Sequence, residues 1–158
     1  MIATLVMAQF STAKIGINGL TCSACSKSVH LALKKLPFVD SVAMDLKNTE
    51  ARILFKKGSS VDIEQLAKAV ENAGFSIRYV NAYYRFKNTV MNSNTCLNDG
   101  SYHFQFINAD NKTLNGEVKL IFIGKQYMSD KDLKVYQSSL KNKCTSNDKN
   151  IKNYIVTL

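Results

Sequence analysis

The sequence contains one proline, two histidines, and 12 acidic residues against 21 basic ones in 158 positions. Each shortage narrows what the chain can do. The lone proline, Pro37, leaves none elsewhere to face a cysteine pair from a neighbouring strand, which counts against thiol–disulfide exchange chemistry. No glycine-rich phosphate loop occurs among seven scattered glycines. No nucleophile–base–acid arrangement and no carboxylate pair at informative spacing is present. No stretch approaches the ~20 apolar residues of a membrane span. The formal charge is +9, yet the basic residues form no dense run and no nucleic-acid motif, so nucleic acid is not an expected partner. Lysines on solvated faces account for most of the charge, and a basic surface can also steer an acidic protein partner. A hydrophobic content of 46% excludes wholesale disorder.

Cysteine is where the sequence speaks. Gly19-Leu20-Thr21-Cys22-Ser23-Ala24-Cys25 lies between an alternating apolar strand, 14–17, and a helical pattern carrying Val29, Leu33 and Leu36. Cys22 falls in the loop and Cys25 in the first helical turn. The spacing lets both sulfurs converge. The helix N-terminus adds partial positive charge from unpaired N–H groups, which favours thiolate over thiol. Two thiolates with no third ligand nearby suit a soft cation that accepts two-coordination, Cu(I) first. Hg(II) is the alternative, and Zn(II) fits less well because it wants four ligands. The competing class is a thiol–disulfide oxidoreductase using the same pair.

The segment Gly-Leu-Thr-Cys-Ser-Ala-Cys resembles the Gly-Met-Thr-Cys-x-x-Cys signature of heavy-metal-associated domains. These are the modules of copper chaperones, of copper-ATPase N-terminal regions and of the mercury-binding protein. The resemblance covers residues 11–80 and includes Val39-Asp40-Ser41-Val42 and Ala69-Val70-Glu71-Asn72-Ala73-Gly74-Phe75. It implies metal ligation by Cys22 and Cys25, support from Thr21, Ser23 and Ala24, and shielding by Phe75, which core packing explains equally well. It also implies that a metal-transporting or metal-accepting protein docks near the loop, where Lys27, Lys34 and Lys35 could contribute. Leu20 stands where the family has a packing methionine, not a ligand.

Periodicity by itself predicts β-α-β-β-α-β over 11–80, the ferredoxin-like order. Helices are expected over 23–36, ending at Pro37, and around Ile63, Leu66, Ala67 and Val70, capped by Ser60 or Asp62 and leaving through Gly74. Residues 81–158 carry no recognised motif and read as a second small α+β domain. Its expected parts are a hairpin of strands 102–107 and 117–123, a helix from Ser129 with Asp132 to about residue 142, and a final strand. The expectation overall is a metal-binding protein and not an enzyme.

Cys96 and Cys144 stand alone in polar, turn-like surroundings, and their expected state is a disulfide. Such a bridge would stabilise by about 4 kcal/mol in the chain-entropy model. Two free thiols, or one zinc site from all four cysteines, are the alternatives. His103, alternating with Tyr102 and Phe104, reads as structural. Met91 near Cys96 and Met128 read as packing ahead of a second soft-metal site. Residues 1–10 read as the remnant of a signal peptide, with cleavage between Ala8 and Gln9. That implies a periplasmic or secreted protein, with the cytoplasm as the alternative.

Overall fold

The computed structural model describes residues 9–91, 96–109, 111–141 and 144–158. The expected leader lies outside the described residues up to position 8. Phe10, placed with the leader by its sequence, instead opens the first strand and is only 3% exposed. The Gln9 carbonyl accepts the Arg85 N–H at 3.1 Å.

The first six elements are β1 (Phe10–Asn18), α1 (Ser23–Lys34), β2 (Val39–Asp45), β3 (Glu50–Phe55), α2 (Ile63–Asn72) and β4 (Ser76–Met91). Their strands lie in the order β2-β3-β1-β4, all antiparallel, which is the ferredoxin-like arrangement. Val29 and Leu33 of α1, with Ile63, Leu66, Ala67 and Val70 of α2, bury against Ile15, Ile17, Ile53 and Val80 of the sheet. The Asp62 side chain caps α2 by accepting the Glu64 and Gln65 N–H groups at 3.0 and 3.2 Å. At the other end Gly74 takes φ +94°. Gly74 N–H reaches Glu71 O and Phe75 N–H reaches Val70 O, the paired bonds of a Schellman stop.

The expected boundary at residue 80 falls inside β4, a 16-residue strand. Its first half pairs with β1, and from Asn81 onward it pairs with β7 (Lys112–Phe122). Three further strands follow, β5 (Cys96–Asp99), β6 (Tyr102–Phe106) and β8 (Lys152–Thr157), giving one eight-stranded sheet ordered β2-β3-β1-β4-β7-β8-β6-β5. The later half thus extends the first sheet and does not close one of its own. The expected 102–107/117–123 hairpin does not form, because β8 inserts between β6 and β7, parallel to the former and antiparallel to the latter. The physical cause is aromatic packing. Phe10 of β1 meets Tyr84 of β4 at 4.7 Å and Tyr102 of β6 at 5.0 Å between ring centroids, and Phe122 of β7 meets Tyr154 of β8 at 5.2 Å. Tyr154 joins that cluster from between β6 and β7.

Two tyrosines of this half also finish α2. The Val61 N–H donates to Tyr102 Oη at 2.9 Å and the Ile63 N–H to Tyr154 Oη at 3.0 Å, both buried. Side chains alternate along a strand, so Ile155 points away from α2. It packs with Ile107, Ile123, Met128 and Leu133 in a second cluster beneath α3 (Asp130–Tyr136). The helix is shorter than expected, a 3-10 turn (Ser139–Lys141) following it. Ser129 caps it, accepting the Asp132 N–H at 3.2 Å. Among the described residues no helix is long and apolar enough to cross a membrane.

Candidate metal centre

Three local features deliver Cys22 and Cys25 to one place. Ile17 and Leu20 are buried, Leu20 at 1% exposure, and pin the chain on both sides of the turn. Gly19 between them adopts φ +81°, a left-handed geometry costly to residues with a Cβ. The Thr21 N–H closes the turn on Gly19 O at 2.9 Å.

Cys22 is then extended, with φ −136° and ψ 159°, and serves as N-cap of α1. Its Sγ accepts the Cys25 N–H at 3.1 Å, and its carbonyl accepts the Ser26 N–H at 3.0 Å. Sulfur thus occupies the position usually taken by a serine or aspartate oxygen. Cys25 sits one turn on, half-buried against the core. The two Cα atoms are 5.2 Å apart and the sulfurs are in contact, within the span of a disulfide.

The electrostatics favour negative sulfur. The first turn of α1 holds no acidic residue, and the free N–H groups there present partial positive charge. Thr21, Cys22, Ser23 and Ala24 are exposed, so a partner can reach the loop directly. Phe75 is half-buried, and its Cδ1 lies 3.8 Å from where a Cβ on Gly19 would stand. It therefore walls the loop as well as packing the core. Lys27, Lys34 and Lys35 are exposed. Lys34 already donates to the Asp40 carbonyl. Pro37 is exposed beyond the end of α1 and not on a strand.

The four cysteines do not assemble into one site. Cys96 lies against Cys144, their Cα atoms 6.3 Å apart. His103, read as structural, lies beside them, and one ligand atom from each of Cys96, His103 and Cys144 falls within 4.8 Å of the others. The alternation that buries Tyr102 and Phe104 on one face was the available signal for His103 and Gln105 on the other. Met91 is fully buried in the core and Met128 belongs to the α3 cluster, so both are packing residues.

Residues 14–76 match the model of the heavy-metal-associated domain family. The chain is 43% identical over 65 residues to a probable copper-transporting ATPase, HMA5, of Arabidopsis thaliana, covering 41% of this chain and 6% of that protein. It is 31% identical over 64 residues to the copper chaperone CopZ of Staphylococcus haemolyticus, covering 40% of this chain and 93% of the chaperone. It is 33% identical over 70 residues to the periplasmic component of mercuric transport of Serratia marcescens, covering 44% of this chain and 76% of that protein. The chain thus spans only a small fraction of the transporting ATPase and most of the two small proteins.

Proposed function

The chain belongs to the heavy-metal-associated domain family, and from that premise we propose that it binds one soft heavy-metal ion, Cu(I), between Cys22 and Cys25 and hands it to a partner. The observation that carries this reading is the N-cap geometry, in which an exposed Cys22 Sγ and the Cys25 N–H meet at 3.1 Å in a first turn free of acids. In the reduced protein both sulfurs bind as thiolates, releasing two protons. The resulting complex bears one net negative charge, which the helix N-terminus offsets. Transfer proceeds by ligand exchange. A partner's thiolate attacks the exposed ion before both original sulfurs leave, and the open loop gives it access. The acceptor is a metal-transporting or metal-accepting protein that docks over the loop.

Hg(II) is the second reading, favoured by the likeness to the mercuric transport component; it too takes two thiolates in a line. The same likeness, the leader pattern before Gln9 and the close approach of Cys96 to Cys144 support a periplasmic or secreted location. In an oxidising compartment a disulfide between Cys22 and Cys25 must first be opened. Residues 81–158 are proposed to brace the metal-binding half, with Cys96–Cys144 as a stabilising disulfide.

Titration of the fully reduced chain with Cu(I) against a competing chelator tests the assignment. We expect the Cys22→Ser/Cys25→Ser variant to take up one equivalent fewer than the parent. Equal uptake by the two proteins rejects the site.

A further inference from the structure

We propose that Cys96, Cys144 and His103 form a second, redox-gated Cu(I) site on the sheet face opposite α1 and α2. Nothing in the family match reaches these residues, which lie beyond position 76. The proposal therefore stands apart from the Cys22/Cys25 reading.

The strand register sets up the site. Cys96 pairs with Gln105, Asn98 with His103, and His103 with Asn153 across β5, β6 and β8. Directly paired residues share a face, so these polar side chains form a layer on the side away from Tyr102 and Phe104. His103 is only 6% exposed, and Cys96 is at the surface. The imidazole is thus held out of water while one thiol gives the ion a way in.

The Cys144 segment is anchored by its backbone, independently of its sulfur. The Cys144 N–H donates to Gln105 Oε1 at 3.4 Å, and its carbonyl lies 3.2 Å from His103 Nε2. Two residues on, the Ser146 N–H donates to Asn153 Oδ1 at 2.8 Å, and Asn153 Nδ2 donates back to the Ser146 carbonyl at 3.3 Å. Opening a bridge between the sulfurs leaves the Gln105 contact and the two Asn153 contacts in place, so both thiols stay within reach of the ring; the Cys144 carbonyl gives up His103 Nε2 when that nitrogen takes the ion. Asn98 Oδ1 contacts His103 Nδ1 and orients the imidazole, as the outer partner of a metal-bound histidine does. Two thiolates and one imidazole suit three-coordinate Cu(I). Zn(II) would lack its usual fourth ligand.

The gate is the disulfide. A dithiol reductant transfers two electrons and two protons, breaking the Sγ–Sγ bond and itself closing to a cyclic disulfide. Cu(I) then displaces the two thiol protons to solvent. Reoxidation of the thiolates by a disulfide oxidant reverses the sequence and expels the ion.

The test uses the full chain carrying Cys22→Ser/Cys25→Ser, reduced with dithiothreitol, freed of it anaerobically and titrated with Cu(I) against a chelator. We expect one equivalent bound, two sulfurs and one nitrogen by X-ray absorption, and none bound before reduction. His103→Gln keeps a donor for the Cys144 carbonyl but removes the ligand. It should weaken binding by more than about tenfold, the loss that even an outer-shell partner causes, and leave two sulfurs alone. No uptake after reduction overturns the proposal. So does unchanged affinity in His103→Gln or Cys144→Ser, or loss of the near-ultraviolet tyrosine dichroism on reduction, because the site requires the segment to stay seated.

Discussion

Phe75 does two jobs at one position. It is the residue through which the Schellman stop of α2 ends on Val70 O, and its ring lies against the Gly19 turn of the cysteine loop. The loop is otherwise exposed from Thr21 to Ala24, so this ring is its principal apolar wall. On the proposed reading, removing the ring would open a second side of the ion to competing thiols and water. We expect Phe75→Ala to lose about 1–2 kcal/mol of stability, less than the 3–5 kcal/mol of a fully buried Phe→Ala change. We also expect it to release Cu(I) to a chelator faster than the parent. Stopped-flow transfer beside a urea titration reads both effects, and an unchanged release rate would leave Phe75 a core residue only.

The start of α2 is built by one local cap and by two strands distant in sequence. Asp62 supplies the local cap. Tyr102 and Tyr154 supply the buried hydroxyls that take the Val61 and Ile63 N–H groups, and Lys152 pairs with the Asp62 carboxylate at 3.4 Å. The helix that carries half of the metal-binding core is thus completed from β6 and β8. Replacing Tyr154 with Phe removes only the oxygen and leaves the Ile63 N–H buried and unpaired. Such a group costs about 1–3 kcal/mol. We expect the urea midpoint of Tyr154→Phe to fall by that free energy divided by the slope, with the slope itself unchanged, and a midpoint equal to the parent's would show that the two halves are not coupled there.

Across the whole molecule, one sheet and one principal core join the metal-binding half to residues 81–158. Four of its tyrosines have hydroxyls shifted upward, Tyr84, Tyr127 and Tyr154 well above the usual phenol range and Tyr102 above it, burial being the main cause at each. A group whose folded value is raised binds its proton more tightly in the native state. Its contribution is complete below the unfolded value of about 10 and is lost as pH rises beyond that. We expect alkaline titration to show these phenols ionising together in one cooperative step that coincides with loss of helical dichroism. Gradual ionisation with the fold intact would mean that the aromatic seam is open to water.

The sequence by itself determined the parts whose signals are local. Cys22 and Cys25 at a helix start, a cap of α2 at Ser60 or Asp62, the Ser129 cap, the Gly74 exit and the β-α-β-β-α-β order all follow from neighbours within a few residues, because caps, turns and side-chain periodicity act over one or two helical turns; the structure settles the α2 cap on Asp62. Tertiary structure alone decided the order β7-β8-β6, the run of β4 through the expected boundary and the seating of Phe10 in the core. Strand order depends on which aromatic faces fit together, and pairing energies are blind to where partners lie along the chain. His103 and the Cys144 carbonyl are 41 residues apart in sequence. Alternation could show which face His103 takes, but only the insertion of β8 and the segment pinned above it bring the Cys144 thiol to that face beside Cys96.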